Sequence, residues 1–272
     1  GGVTYDEMVP VAEKYGFVVS YDGMEVEIYE MTMENKEKAI SVWQNPCISR
    51  DAIKYFAMLT MFINHVANAF VPPESVWFEV MTDIGYFTAV TMCFFLVEGY
   101  QYTHSRKNYA LRLLIFALIS QVPYVMALQF GMLNMLFTLF FCFLILHVRH
   151  RISNGFVRNL LVVLLVLVTL FCDWSLLAAI YTILFDRAAG NRKKQAAAFG
   201  FAAVLFALFN WLSYVMQMAP LPALGHALAS CLGIVISGIV ILCFYNGKKG
   251  KRSGRFSKWF FYVFYPAHLL VL

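Results

Sequence analysis

Two histidines lie inside long apolar segments, where an imidazole could serve as a general base. His65 stands next to Asn64, and Asn68 follows one helical turn later, so the three side chains form a polar stripe on an otherwise apolar helix. His268 lies in the last apolar segment. Ionisable residues inside a membrane are costly and usually functional. The pattern favours a cavity or active site, and interhelical hydrogen bonding that only holds the helices together is the alternative.

Charged residues near the ends of apolar segments supply candidate ligand contacts. Glu98 is a second candidate catalytic residue, although an ion pair with Arg106 or Arg112 would also explain it. Both arginines could bind an anionic ligand, and a glycine-interrupted basic loop that contains Lys248 and Lys249 could bind phosphates. The alternatives are an Arg112 that extends its charge to the membrane interface and a loop that is simply solvated.

Composition excludes several other kinds of protein. Apolar residues make up 61% of the chain and charged residues 14%, against about 45–50% and 25% in soluble domains. The six cysteines show neither CxxC pairs nor metal-ligand spacing, so we expect no metal site and no disulfide framework. The net charge of +5 is not accompanied by a basic-aromatic motif, so we expect no nucleic acid as partner.

The basic residues alternate from one inter-helix segment to the next. All eighteen Lys and Arg after residue 46 fall in every second connection between apolar segments, as in membrane proteins whose basic loops stay in the cytoplasm. The sequence therefore predicts an all-α, multi-pass membrane protein in contact with membrane lipids, with its N-terminal side in the cytoplasm and its C-terminus outside. We count about nine spans, at 51–71, 84–103, 110–128, 132–149, 157–172, 174–186, 196–215, 226–245 and 257–272.

The N-terminal part differs from the rest in charge. It holds nine acidic and three basic residues, and its patterning predicts a small cytoplasmic α+β segment, with strands near 17–21 and 24–29. We therefore divide the chain into an acidic soluble segment, 1–46, and a transmembrane domain, 47–272. A segment this short could hardly hold a core alone. We expect it to pack on the transmembrane domain or on a partner chain.

Several segments, taken together and in order, resemble the TraX family of membrane proteins. The resemblance covers about residues 50–272 and is carried by AMLTMFINHV at 57–66, FFLVEGY at 94–100, HSRKNY at 104–109, LRLLIFALISQVP at 111–123, NMLFTL at 134–139, YNGKKG at 245–250 and FYVFYPAHLL at 261–270. It implies a protein of the bacterial cytoplasmic membrane. It also implies an acyltransferase that passes an acetyl group from acetyl-CoA to an acceptor at or across the membrane.

The resemblance assigns roles to positions of this chain and exposes two departures. His65 occupies the position of the histidine expected to act as general base, and Glu98, Arg112 and His268 occupy other family positions. Asn64 stands where the family usually has Asp, and Gln121 stands where Glu is common. Both changes remove a charge and keep a hydrogen-bonding amide. If the Asp orients the imidazole, its loss should weaken catalysis, because a histidine base depends on its tautomer.

Two functions of different classes follow. In the first, the chain is an acyltransferase: Arg106, Arg112, Lys248 and Lys249 hold the phosphates of acetyl-CoA or another acyl-CoA. His65 then deprotonates an amine or hydroxyl of a peptide, pilin or glycan acceptor. Asn64, Asn68 or a tyrosine stabilises the oxygen of the tetrahedral intermediate, and Glu98 and His268 complete the catalytic set. In the second, the chain is a non-enzymatic transporter, flippase or assembly component of a surface structure.

Overall fold

The computed structural model describes residues 48–250 and 255–272. These residues form helices and no strand, which confirms an all-α architecture for this part of the chain. The secondary structure expected in residues 1–46 lies outside the described residues. The helices are α1 Arg50–Phe70, α2 Val76–Tyr102, α3 Arg106–Leu128, α4 Met135–Arg151, α5 Gly155–Val168, α6 Leu177–Ala188, α7 Arg192–Val215, α8 Pro220–Ser230, α9 Leu232–Ile239 and α10 Arg255–Val271. A 3₁₀ turn, Thr169–Phe171, extends α5, and a π turn, Val240–Phe244, extends α9.

Short polar residues fix where the helices begin. The side chains of Ser49, Asn134, Asn154 and Asn191 each accept a hydrogen bond from a backbone N–H in the first turn of the helix that follows. Such caps satisfy donors that have no partner within the helix. These helices therefore begin at polar residues, and α2 begins at Val76, earlier than the span predicted at 84–103.

The loops between helices fall alternately at two chemically different ends of the bundle, and α8 and α9 form one continuous stretch. At the first, which we call the basic end, the Ile48 amide before α1 donates to the carbonyl of Phe244 after α9 (3.0 Å). At the other, which we call the distal end, the Asp173 amide before α6 donates to the carbonyl of Leu133 before α4 (2.7 Å). The connections at the distal end contain no Lys or Arg.

Four helical stretches among the described residues are long and apolar enough to cross a membrane: Val76–Tyr102, Arg106–Leu128, Arg192–Val215 and Pro220–Phe244. The helix α5 is shorter, buries none of its residues and exposes large apolar side chains such as Phe156 and Val163. Such a surface suits contact with lipid. The helix α6 has 12 residues, about 18 Å at 1.5 Å per residue, less than a bilayer core requires. The count of nine spans stays a prediction.

Close helix packing sets the frame of the site. The helix α2 lies centrally and contacts α1, α4, α6, α8 and α9. A Cβ added at Gly85 would lie 2.3 Å from the Asn64 Cβ, and one at Gly233 would lie 2.7 Å from the Asp83 carbonyl oxygen. Only glycine lets these helix backbones approach so closely. The helix α10 packs against α1 and α3, so the last helix reaches the polar stripe of the first.

Candidate functional site

The two buried histidines form a hydrogen-bonded pair. The Nδ1 of His65 on α1 lies 2.7 Å from the Nε2 of His268 on α10. The rings are stacked, with centroids 5.0 Å apart and planes 12° apart. Only 7% of His65 and 5% of His268 is exposed. The structure therefore joins two imidazoles that are 203 positions apart in the chain.

The hydrogen-bond partners of His65 and His268 determine which ring nitrogens carry protons when both imidazoles are neutral. The Nδ1 of His268 lies 2.9 Å from the Phe264 carbonyl oxygen, which can only accept, so this nitrogen carries the proton. The Nε2 of His268 then has a lone pair and accepts from the Nδ1–H of His65. The remaining lone pair is on the Nε2 of His65, which is the atom that a general base would use.

The amides of the polar stripe make structural hydrogen bonds. Asn64 Nδ2 donates to the Thr82 carbonyl on α2 (3.1 Å). Asn68 Nδ2 donates to the backbone carbonyl of Asn64 (2.8 Å) and is 3.2 Å from its Oδ1, so its bonds lie within α1. The interhelical alternative therefore describes the side chain of Asn64. His65 differs from them, since its partner leaves one ring nitrogen available.

A cavity of about 200 Å³ opens beside His65 toward the distal end. We call it the imidazole cavity. Polar and aromatic side chains make up much of its wall: Asn64, Asn68, Thr82, Tyr86, Tyr124, Asp173 and Trp174 line it together with His65. His268 hydrogen-bonds to the Nδ1 of His65 but does not itself line the cavity.

Asp173 is a site residue that the sequence did not reveal. It lies in the loop between α5 and α6, where its amide donates to the Leu133 carbonyl and its carbonyl accepts from the Thr138 hydroxyl (2.6 Å). Burial raises the pKa of the Asp173 carboxyl to about 6, and a hydrogen bond from the Trp174 backbone partly opposes this. Its only signal in the sequence was a lone charge between two apolar segments.

A larger cavity of about 470 Å³ opens at the basic end. We call it the basic chamber. Four cations line it: Arg50, Lys54, Arg112 and Lys249. The carboxylate of Asp51 also lines it, and much of the remaining wall is apolar, with Met58, Met61, Met92, Leu113 and Leu136. A site that combines four cations with apolar side chains fits an elongated ligand with a phosphate-bearing head.

Arg112 is held in the chamber wall by aromatic rings. Its guanidinium carbon lies 5.7 Å from the Tyr109 ring centroid and 5.9 Å from that of Tyr262. Within the described part of the chain, the buried Nε of Arg112 has no hydrogen-bond partner, and the same is true of the Nε of Arg106. A buried polar group without a partner calls for an explanation, and an anionic ligand would supply one. Lys249 is fixed by its loop, since the neighbouring Gly250 amide donates to the Asp51 carboxylate (3.1 Å).

The basic chamber and the imidazole cavity adjoin each other. Four residues line both, and we call this set the partition: Met61, Thr88, Met135 and Tyr265. The cations therefore lie on one side of a thin wall of side chains and the His65 imidazole on the other. An extended ligand could bind cations with its head and reach the imidazole with its tip.

Three predicted site residues lie elsewhere. Arg106 stacks on Tyr100, 4.5 Å from the ring centroid, and does not line the chamber. The side chain of Lys248 is also absent from that wall. Glu98 Oε1 accepts from the Tyr245 hydroxyl (2.5 Å), and Arg50 is the cation beside its other oxygen (4.0 Å). The ion-pair partners expected for Glu98 were wrong, since Arg50 takes that place.

The two departures at amide positions have structural explanations. Gln121 Nε2 donates to the Met132 carbonyl (2.9 Å), while its Oε1 accepts from the backbone and side-chain nitrogens of Asn134 (both 2.9 Å). An ionised carboxylate could not make the first bond, because it only accepts. At position 64 the amide donates to α2, and His268 supplies the imidazole with the orienting contact.

No group of three or more metal-ligating side chains occurs among residues 48–250 and 255–272. Comparison with known proteins adds the following. The sequence model of the TraX protein family matches residues 49–272. A protein of Dichelobacter nodosus, described as "Probable fimbrial assembly protein FimC, serogroup H1", is 31% identical over 236 residues, which cover 81% of this chain and 92% of that protein. No solved structure matches the chain.

Proposed function

Because the chain belongs to the TraX family, we propose that it is a membrane-embedded acyltransferase that moves an acetyl or other short acyl group from acyl-CoA to an amine or hydroxyl. The protein lies in the bacterial cytoplasmic membrane with its basic end in the cytoplasm. The observation that supports this most is that the two cavities share the partition as a common wall. Cations line the cavity on one side of that wall, and His65 lines the cavity on the other.

The donor enters at the basic end. Arg50, Lys54, Arg112 and Lys249 bind the phosphates of acyl-CoA, and the thioester arm extends along the apolar wall of the basic chamber. Arg112 is assigned as the principal phosphate contact because it lines the chamber and its buried Nε has no partner among the described residues. Arg106 and Lys248, which were also expected to bind the donor, have no role in this mechanism.

The acceptor meets the thioester beside His65. The Nε2 of His65 takes the proton of the acceptor N–H or O–H as the acceptor atom bonds to the thioester carbonyl carbon. When the tetrahedral intermediate breaks its C–S bond, the same proton passes to the departing sulfur, so acylated acceptor and CoA leave. His268 holds His65 in the required tautomer throughout, as a positioning residue.

Radiolabelled acetyl-CoA and the purified full chain in detergent or nanodiscs test this function. We expect the label to move to a nucleophilic acceptor, with hydroxylamine and simple amines as first probes. His65→Ala should abolish the transfer, and Arg106→Ala, outside both cavities, is the control that should retain it. Full transfer by the His65 variant would rule out the mechanism.

A second candidate function is a non-enzymatic component of fimbrial or pilus assembly. It is favoured by the Dichelobacter nodosus relative, which is described as a probable fimbrial assembly protein, and by Asn64 at the position of the usual Asp. In this case CoA should not bind. A ligand that binds the folded state raises its melting temperature, so the absence of any shift with CoA or acetyl-CoA would favour the assembly role.

A further inference from the structure

Tyr265 is the residue of the partition that can still donate a hydrogen bond. The two methionines, Met61 and Met135, carry no donor, and the Thr88 hydroxyl already donates to the Ala57 carbonyl (2.6 Å). Tyr265 is 4% exposed, and its buried hydroxyl has no hydrogen-bond partner in the part of the chain that the structure describes. Such an orphaned hydroxyl is rare in proteins and suggests a partner that arrives later.

The position of Tyr265 relates it to the imidazoles. It lies one turn before His268 on α10, and its ring centroid is 6.3 Å from that of His65 and 5.5 Å from that of His268, edge to face in both cases. A thioester that reaches from the basic chamber to a nucleophile at His65 must cross the partition. Its carbonyl oxygen then comes within the reach of this hydroxyl.

The two amides expected to stabilise the intermediate lie outside the partition. Asn64 Nδ2 donates to the Thr82 carbonyl on α2, and Asn68 Nδ2 donates to the Asn64 carbonyl within α1. Both amides line only the imidazole cavity, whereas Tyr265 also lines the basic chamber from which the thioester would come. Of the donors expected for the intermediate, Tyr265 is therefore the one that lies between the two cavities.

The start of α4 supports the same assignment. Met135, the first residue of α4, lies beside Tyr265 in the partition. The amino end of a 17-residue helix also favours negative charge nearby.

We propose that Tyr265 is a catalytic residue whose hydroxyl donates a hydrogen bond to the thioester carbonyl oxygen and stabilises the negative charge of the tetrahedral intermediate. This inference rests on the acyl transfer proposed above. No proton is transferred in this step: the oxygen gains charge as the acceptor bonds to carbon and returns it when the C–S bond breaks. A donor aimed at developing charge acts on the rate more than on ground-state binding.

The test compares Tyr265→Phe with Tyr100→Phe. Tyr100 is a matched control because it is also buried, its hydroxyl also has no hydrogen-bond partner in the part of the chain that the structure describes, and it lines neither cavity. Removing an unsatisfied hydroxyl should leave the melting temperature of either variant unchanged or slightly higher. We expect Tyr265→Phe to lower kcat about 10²- to 10³-fold, with KM for acetyl-CoA and the thermal shift with CoA close to wild type. Tyr100→Phe should keep wild-type kcat.

Each other outcome has a separate meaning. Wild-type kcat in Tyr265→Phe overturns the assignment and leaves the acyltransferase intact, provided that His65→Ala is inactive. A loss that appears in KM or in CoA binding, with kcat kept, also overturns it, because the hydroxyl would then contact the donor in the ground state. If the wild-type chain transfers no acetyl group to any acceptor, the proposed function fails and this inference fails with it.

Discussion

His268→Phe should slow acyl transfer without weakening donor binding. The phenyl ring removes the acceptor that the His65 Nδ1–H now uses at 2.7 Å. A buried donor left without a partner costs about 1–3 kcal/mol. That free energy currently favours the tautomer with its lone pair on Nε2. Since 1.4 kcal/mol corresponds to a factor of ten, losing the bias should reduce kcat by about 5- to 150-fold.

The assay is single-turnover acetyl transfer with saturating acetyl-CoA, alongside the thermal shift with CoA. His268→Gln is the conservative variant, because its side-chain oxygen can still accept from His65, and we expect it to recover part of the rate. The shift with CoA should be the same in all three proteins. A His268→Phe rate within twofold of wild type, with His65→Ala inactive, would refute the orienting role of His268.

Three further predictions address the donor site, the loop carboxyl and the amide at position 121. Arg112→Ala should raise KM for acetyl-CoA at least tenfold with a smaller effect on kcat, whereas Arg106→Ala should leave both unchanged; equal effects in steady-state assays would contradict the placement of the donor. Because burial raises the pKa of Asp173 above its ordinary value to about 6, the folded state holds an extra proton between pH 4 and 6, and thermal stability should decline as pH rises through that window. Asp173→Asn should remove this decline, which amounts to about 1–3 kcal/mol. Gln121→Glu should lose the bond to the Met132 carbonyl and cost about 1–3 kcal/mol in denaturant unfolding near neutral pH, and a variant as stable as wild type would count against that explanation.

The depth of both site histidines in the bundle could be predicted from their positions in the sequence. The depth of His65 could be counted from Arg50, about 22 Å along a helix at 1.5 Å per residue, and alternation placed His268 at a similar depth. Their pairing was not predictable in the same way, because it depends on α10 packing against α1 rather than against another helix. The sequence therefore predicts how deep a residue lies along a helix more readily than it predicts which helices pack against each other.

The positions of Arg106 and Arg112 around the axis of α3 explain a difference between them that their charge does not predict. Arg106 and Arg112 both lie in the first two turns of α3, but six residues at 100° each place them about 120° apart around the helix axis. Arg112 therefore lines the basic chamber while Arg106 stacks on Tyr100. The charge pattern predicted the same ligand-binding role for both arginines. Knowing which face of α3 meets α10 was needed to tell them apart.

Asp173 and Tyr265 show a second limit. Asp173 interrupted two apolar segments, so it marked a break between helices, and nothing local indicated that its loop folds beside the α4 start. Tyr265 is one of 15 tyrosines in an aromatic-rich chain. Its significance comes from its place in the partition and from a hydroxyl that has no hydrogen-bond partner among residues 48–250 and 255–272, and both depend on three-dimensional packing.

The most direct measurement is a structure of the full chain with a non-transferable thioether analogue of acetyl-CoA. We expect the phosphates at Arg112 and Lys249, the arm crossing the partition, and the carbon that replaces the thioester carbonyl within about 4 Å of an acceptor position at the His65 Nε2, as a near-attack geometry requires. An analogue bound outside the basic chamber, or one whose arm ends on the chamber side of an unbroken partition, would contradict the shared path from cations to imidazole.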